Sequence, residues 1–383
     1  MSVTAARGFR ATGVAAGLRS NGAPDLALVV NDGPRRAAAG VFTANRVQAA
    51  PVVWSREVVG DGRIDAVVLN SSRANACTGP DGFGDTHATA EAVAAALGCS
   101  TTDVAVCSTG LIGVRLPMDR VLAGVDKAVA RLSGTGGSLA AEAIRTTDTR
   151  SKQSALDGKG YTVGGMVKGA GMLAPGLATM LAVLTTDADV DAATLDSALR
   201  AATRVTFDRV DSDGCMSTND TVLALASGAS GVRPSYQELT DVLTAVCADM
   251  AAQLLDDAEG ATKTIAITVV GADSEDDAVE VARSVARSNL FKCAIHGEDP
   301  NWGRVLAAVG TTGARFDPGA IDVAMNGAWV CQASAPGAPR EEADLSGREA
   351  TVTIDLHAGS ERATVWTNDL TAMYVHENSA YST

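Results

Sequence analysis

Six short apolar runs recur along the chain, at residues 26–30, 66–69, 104–107, 182–184, 265–270 and 351–356, and each reads as a strand. Helical patterns lie between them. Asp85 is placed to cap a helix over 86–97 that Gly98 ends. Pro117 suits the first turn of a helix carrying Val121, Leu122, Val125, Val129 and Leu132, closed by Gly134. Ser235 and Glu238 form a capping-box pattern opening a helix with Leu239, Leu243, Val246, Met250 and Leu254 on one stripe, and Gly260 stops it. A further helix follows Ser274. This alternation predicts an α/β or α+β fold. With 383 residues, 46% of them hydrophobic, there is material for two substantial domains, or one large and one small. Residues 230–234 and 335–344 read as linkers, the second as a surface hairpin insertion.

Charge narrows the function. A net charge of −14 with no basic face argues against nucleic acid as a partner. The acidic cluster at 273–277 suits a solvated helix start. Seven scattered cysteines with no C-x-x-C fit reduced thiols in a cytoplasmic protein. The first ten residues hold no apolar signal region, and no uncharged run approaches the roughly 18 apolar residues of a membrane span, so a soluble protein is expected.

Familiar chemical motifs fail. No phosphate-binding glycine loop is present. The run from Asp208 to Asp220 resembles a calcium loop, but Arg209 takes the first ligand position and Asp220 replaces the closing glutamate. The four histidines (His87, His296, His357, His376) share no metal-ligand spacing, so no metal site is expected. No G-x-S-x-G elbow occurs. A nucleophile in this chain is therefore expected to work without histidine.

The stretch K-G-A-G-M-L-A-P-G-L-A-T-M-L, residues 168–181, breaks up at Gly169, Gly171, Pro175 and Gly176 before an apolar run begins. As pattern alone it is a loop leading into a buried strand. It also suits a second chemistry. A hydroxyl nucleophile lacking an imidazole can use its own α-amine as base, provided it stands at a chain N-terminus. An α-amine titrates near about 7.7–8.0, so it is substantially unprotonated at neutral pH. Cleavage between Ala178 and Thr179 would free such an amine. Val104–Cys107 running into S-T-G-L-I-G ahead of the Pro117 helix reads either as an ordinary β-α turn or as one exposing amides for an oxyanion hole. Glu259 reads as a carboxylate in the last turn of a helix, where it opposes the dipole; it is either a surface residue or a functional one.

Taken together, seven motifs make the sequence resemble the ornithine acetyltransferase (glutamate N-acetyltransferase) family. They are N-S-S-R-A-N-A-C-T-G (70–79), S-T-G-L-I-G-V-R-L-P-M (108–118), T-T-D-T (146–149), the 168–181 stretch, D-G-x-x-S-T-N-D (213–220), D-P-N-W-G-R (299–304) and H-E-N-S-A-Y-S-T (376–383). The resemblance implies a layered α-β-β-α-type sandwich with a second, smaller α/β domain toward the C-terminus. It implies self-cleavage between Ala178 and Thr179 into an α-chain (1–178) and a β-chain (179–383), associating as a heterotetramer of two of each. Thr179 would take the acetyl group of N-acetylornithine and pass it to glutamate, with Thr109 and Gly110 as the oxyanion hole. Substrate contacts would fall on Thr146 or Thr147, Lys168, Thr179, Glu259, Asn378 and Thr383. Lys168 would pair with a carboxylate and Glu259 with the ornithine ammonium, one pocket serving both substrates in turn. No cofactor is implied; acetyl-CoA is a possible second donor. Arg73 and Cys215–Met216 depart from the family's usual residues. Competing readings are a self-cleaving aminopeptidase or amidase passing the acyl group to water, a secondary-metabolism paralogue, and a non-catalytic protein whose chain stays intact.

Overall fold

The computed structural model describes residues 2–174 and 180–380. Three sheets organise these residues. The first has strands β1 (Phe9–Val14), β2 (Leu26–Asn31), β4 (Ala66–Arg73) and β5 (Val104–Leu111) in the order β1-β2-β4-β5, with only β4 and β5 parallel. The second runs β3 (Ala37–Phe42), β9 (Thr221–Ala226), β8 (Leu181–Thr186), β7 (Thr162–Lys168) and β6 (Lys152–Asp157), with only β8 and β9 parallel.

These two sheets stack face to face. Val29, Val67 and Leu69 of the first share a core with Met166, Leu181, Val183, Leu223 and Leu225 of the second. Helices α2 (Gly79–Leu97) and α3 (Met118–Val129) add Val93, Val121 and Val125 to that core. On the far side of the second sheet, Val167, Leu184 and Val222 pack against Leu199 of α5 (Ala192–Val205) and Met250 of α6 (Tyr236–Asp256). The layering is helix, sheet, sheet, helix. Strands β2, β4, β8 and β9 are enclosed on both faces, which is why their apolar runs are unbroken.

Two helices finish this lobe. Helix α1 (Ala50–Val58) covers the edge of β5: Trp54 Nε1 donates to Val104 O at 3.0 Å, and Ser55 Oγ donates to Val106 O at 2.6 Å. These bonds occupy edge groups that would otherwise invite another strand. Helix α4 (Gly137–Ala143) packs over β1, where a Cβ on Gly13 would lie 1.9 Å from Leu139 O.

The C-terminal lobe carries the third sheet, in the order β13 (Ala335–Pro336), β12 (Ala328–Gln332), β11 (Asp322–Met325), β14 (Glu349–Asp355), β10 (Thr264–Ala272) and β15 (Glu361–Asn368). Its buried face, including Ile265, Ile267 and Val269, packs on α7 (Glu275–Ala286), α8 (Asn289–His296) and α9 (Trp302–Val309). Asn301 of D-P-N-W-G-R caps α9, accepting from Arg304 N at 3.3 Å, so that motif has a structural use. The last helix, α10 (Ala372–Ala380), returns to the first lobe.

The capping box at Ser235 and Glu238 and the Ser274 cap are present as expected. Three helix boundaries differ from the sequence reading. Helix α2 starts at Gly79, with a proline in its first turn, so Asp85 lies inside the helix and binds Arg115 instead of capping. Helix α3 ends at Val129, before Gly134. Helix α6 ends at Asp256, and Glu259 sits beyond the helix, so the dipole argument does not apply to it.

Candidate active site

Strands β4 and β5 run parallel and end together at a bulge where Arg73 faces both Thr109 and Leu111. Gly110 has φ +124°, and a Cβ there would lie 2.3 Å from both C and O of Ser72. Only glycine fits, because the obstruction is backbone. The S-T-G segment is thus the end of a strand: β5 runs through Leu111 and α3 begins only at Met118. The amides of this segment are therefore those of a strand end and not of a turn that opens directly into a helix. The strand instead offers the Thr109 hydroxyl and the Gly110 backbone.

Lys168 ends β7 on the face turned toward the first sheet. It is 2% exposed, and Nζ donates to Thr146 Oγ1 at 2.7 Å and to Thr109 Oγ1 at 3.3 Å. Because Thr109 Oγ1 accepts from the lysine, its own hydrogen is free to donate into the cavity. Burial draws the Lys168 pKa down, and Asp148 pulls it back up.

Behind that lysine lies a buried ionic cluster that sequence reasoning did not single out. Lys152 is fully buried and donates to Asp148 Oδ1 and Asp257 Oδ2, both at 2.6 Å, and to Gly169 O at 3.0 Å. Asp148 also accepts from Gly169 N at 2.7 Å and Thr146 N at 3.0 Å. Burial would raise the Asp148 carboxyl, but Lys168 and Lys152 together hold it well below the usual carboxylate range. Two carboxylates thus balance two ammonium groups, and the cluster fixes the backbone on both sides of the Lys168–Thr146 contact. Asp148 lies within the T-T-D-T motif, which was its available signal.

The loop before β9 forms the next wall. Asn219 Nδ2 donates to Ala74 O at 2.6 Å and Ser108 O at 2.8 Å, tying this loop to the ends of β4 and β5. Met180 N donates to Asp220 Oδ1 at 3.1 Å, and Thr221 N donates to Met180 O at 3.1 Å. The first described residue after position 179 is therefore held at this wall. Burial pushes the Asp220 carboxyl well above its ordinary value.

Glu259 closes the opposite side. Its N–H donates to Ala170 O at 2.9 Å, and its Oε2 accepts from Asn378 Nδ2 of α10 at 3.0 Å. A Cβ on Gly171 would lie 2.6 Å from that oxygen, so a larger residue there would displace the carboxylate from this position.

Thr109, Gly110, Thr146, Thr147, Lys168, Glu259 and Asn378 line one cavity of about 140 Å³. Ala178, Thr179 and Thr383 lie outside the described residues. Ser217, Thr218, Asn219 and Met172 also line the cavity and were not expected to. No histidine lines it among the described residues; His296 and His357 pair with Asp369 and Asp322. Arg73, one of the departures noted above, donates to Arg115 O, and the second departure leaves Cys215 exposed. The cavity presents one ammonium, one carboxylate and several hydroxyls. That set suits a zwitterionic, amino-acid-like ligand.

Residues 10–383 match the model of the ArgJ family. The chain belongs to that family. Similar proteins include the arginine biosynthesis bifunctional protein ArgJ of Streptomyces avermitilis, 66% identical over 382 residues and covering 100% of both chains. The protein of the same name from Thermobifida fusca is 63% identical over 383 residues, again covering 100% of both chains. Among solved structures, ornithine acetyltransferase complexed with ornithine from Mycobacterium tuberculosis is 60% identical, covering 47% of this chain and 96% of that one with a TM-score of 0.45. With membership in the family, the expectation of an acyl-transferring enzyme of arginine biosynthesis stands.

Proposed function

We propose that the chain cuts itself between Ala178 and Thr179 and then moves an acetyl group from N2-acetylornithine to glutamate through an acetyl ester on Thr179. The observation that supports this most is convergence: seven residues from Thr109 to Asn378, all expected from the family resemblance, line one cavity.

In self-cleavage, Thr179 Oγ attacks the carbonyl carbon of Ala178. The C–N bond breaks, an ester forms, and water hydrolyses it to leave a free α-amine on Thr179. That amine next accepts the Oγ proton while Oγ attacks the acetyl carbonyl. The developing oxyanion is met by the Thr109 hydroxyl and the Gly110 amide. Collapse expels ornithine, whose α-nitrogen takes up the proton, and the acetyl ester remains. The amine of glutamate then attacks this ester, giving N-acetylglutamate and restoring Thr179.

Lys168 has two of its three N–H bonds committed to hydroxyls, leaving one for a substrate carboxylate. Glu259 takes the ornithine side-chain ammonium. Asn378 orients Glu259, and Thr147 and Thr383 complete the contacts. The pieces 1–178 and 179–383 remain together, two of each forming the assembly, in the cytoplasm. No helix among the described residues is long and apolar enough to cross a membrane. Acetyl-CoA serves as a second donor to the same threonine, and no cofactor is required.

The test uses purified full-length protein. A denaturing gel should show two fragments, with mass spectrometry placing the cut at 178/179. Incubation with N-acetylornithine should release ornithine rapidly only when glutamate is present. Release at full rate without glutamate would make the protein a hydrolase, and a panel of acetyl donors decides the place of acetyl-CoA.

A further inference from the structure

A second recess opens on the other side of Gly110, Thr146 and Thr147. These three residues line both the 140 Å³ cavity and this recess of about 400 Å³, whose remaining wall is Leu18, Arg19, Ser20, Asn21, Ser72 and Leu111. Arg19 is the cation of this wall. It is partly buried, and its guanidinium makes no hydrogen bond or ion pair among the described residues. Nearby Arg145 is already engaged by Glu142 and by Asp148 O.

The loop that carries Arg19 is built rather than loose. Both oxygens of the fully buried Asp25 are taken by backbone amides: Ala16 N at 2.6 Å, Leu18 N at 2.6 Å and Arg19 N at 2.8 Å. Ser72 Oγ donates to Leu18 O at 3.1 Å and fastens the loop to the end of β4. Asp25 therefore holds the Arg19 backbone but leaves its guanidinium uncommitted.

The two amino acids handled by the reaction differ in the sign of their side-chain charge. Glu259 suits the ornithine ammonium and repels the second carboxylate of glutamate. Lys168 has one free N–H, enough for the carboxylate common to both. The acceptor's distal carboxylate needs another cation, placed away from Glu259 yet open to the same cavity. Resting on the acetyl-transfer reading above, we infer that the recess is the acceptor subsite and that Arg19 is the residue that selects a dicarboxylic amino acid by binding its distal carboxylate.

The experiment compares wild-type protein, Arg19→Gln and Arg19→Lys in two reactions. One is exchange of labelled ornithine into N-acetylornithine without glutamate, which uses the donor side alone. The other is acetylation of glutamate or of its neutral isostere glutamine. Loss of a charge-assisted contact is expected to lower the ratio of glutamate acetylation to ornithine exchange by about 10–100-fold in Arg19→Gln. The preference for glutamate over glutamine should shrink by a similar factor, and Arg19→Lys should recover part of it. Equal losses in both reactions, or an unchanged preference, would overturn the subsite while leaving acetyl transfer standing. A wild-type protein that neither exchanges ornithine nor acetylates glutamate would overturn the acetyl-transfer reading and the subsite with it.

Discussion

Lys168 Nζ reaches across from the second sheet to donate to Thr109 Oγ1 on the first, at 3.3 Å. The contact spans the interface of the sandwich, so the position of the hydroxyl depends on both sheets being packed. Thr109→Ala removes a donor to the oxyanion but little volume. The rate of acetyl transfer should fall about 10²–10³-fold with the melting temperature nearly unchanged, and Thr109→Ser should restore much of it. A near-wild-type rate in the alanine variant would leave the backbone as the sole donor.

Thr179→Ala takes away the hydroxyl required by both self-cleavage and transfer. The variant should run as a single intact chain of 38.8 kDa on a denaturing gel and show no ornithine exchange. Exchange retained in that variant would assign the nucleophile elsewhere.

Asp148 is the carboxylate that most opposes the effect of burial on Lys168: burial draws the lysine down, and Asp148, ahead of Glu259 and Asp220, raises it. Asp148→Asn removes this support, so Lys168 should lose its proton at lower pH than in the wild type. The alkaline limb of the kcat/KM profile should move downward in pH. A limb that stays put would mean that Lys168 does not set it.

Gly110→Ala places a Cβ against the backbone of Ser72, which cannot rotate away, and at φ +124° the residue is strained as well. The expected cost is about 1–3 kcal/mol or more in denaturant unfolding, together with loss of activity. A variant of wild-type stability would show that the ends of β4 and β5 can part without harm.

Asp211 links stability to pH. It is fully buried where the lobes meet, and its Oδ2 accepts from Arg287 Nε at 2.7 Å. Burial outweighs that arginine and pushes the carboxyl up to about 6. A raised folded pKa means the folded state holds the proton more tightly, so the stabilisation is full below the ordinary value near 3.8 and is lost as pH rises through about 6. The melting temperature of the wild type relative to Asp211→Asn should therefore climb as pH falls from 7 to 4. A flat difference would show that Arg287 keeps the carboxylate ionised throughout.

All six apolar runs fall in strands of the structure: those in β2, β4, β5 and β8 are apolar at nearly every position because both faces are enclosed, whereas those in β10 and β14 alternate because only one face is buried. Strand β7 escaped this reading. Its T-V-G-G-M-V-K sequence has glycine where a side chain is expected, yet a Cβ on Gly164 would lie 2.2 Å from Ser2 O and one on Gly165 2.9 Å from the Met250 side chain. These glycines answer to packing partners far away in the chain. The same cause hid the ionic cluster, since Asp148 and Asp257 are 109 positions apart and nothing local announces that both meet Lys152.

What the sequence by itself determined is the set of chemical groups and the family: the seam at Ala178–Thr179, the hydroxyls of Thr109 and Thr146, one lysine, one glutamate, and motifs in a fixed order. These can be read locally because each is written in adjacent residues. What only the tertiary structure decided is how those groups act on one another. Thr109 lies at a strand end and not at a helix start, Lys168 is buried and answered by Asp148, and Arg19 faces a recess that adjoins the cavity. Burial and charge compensation depend on which surfaces pack together, and that is settled only when the two sheets close on each other.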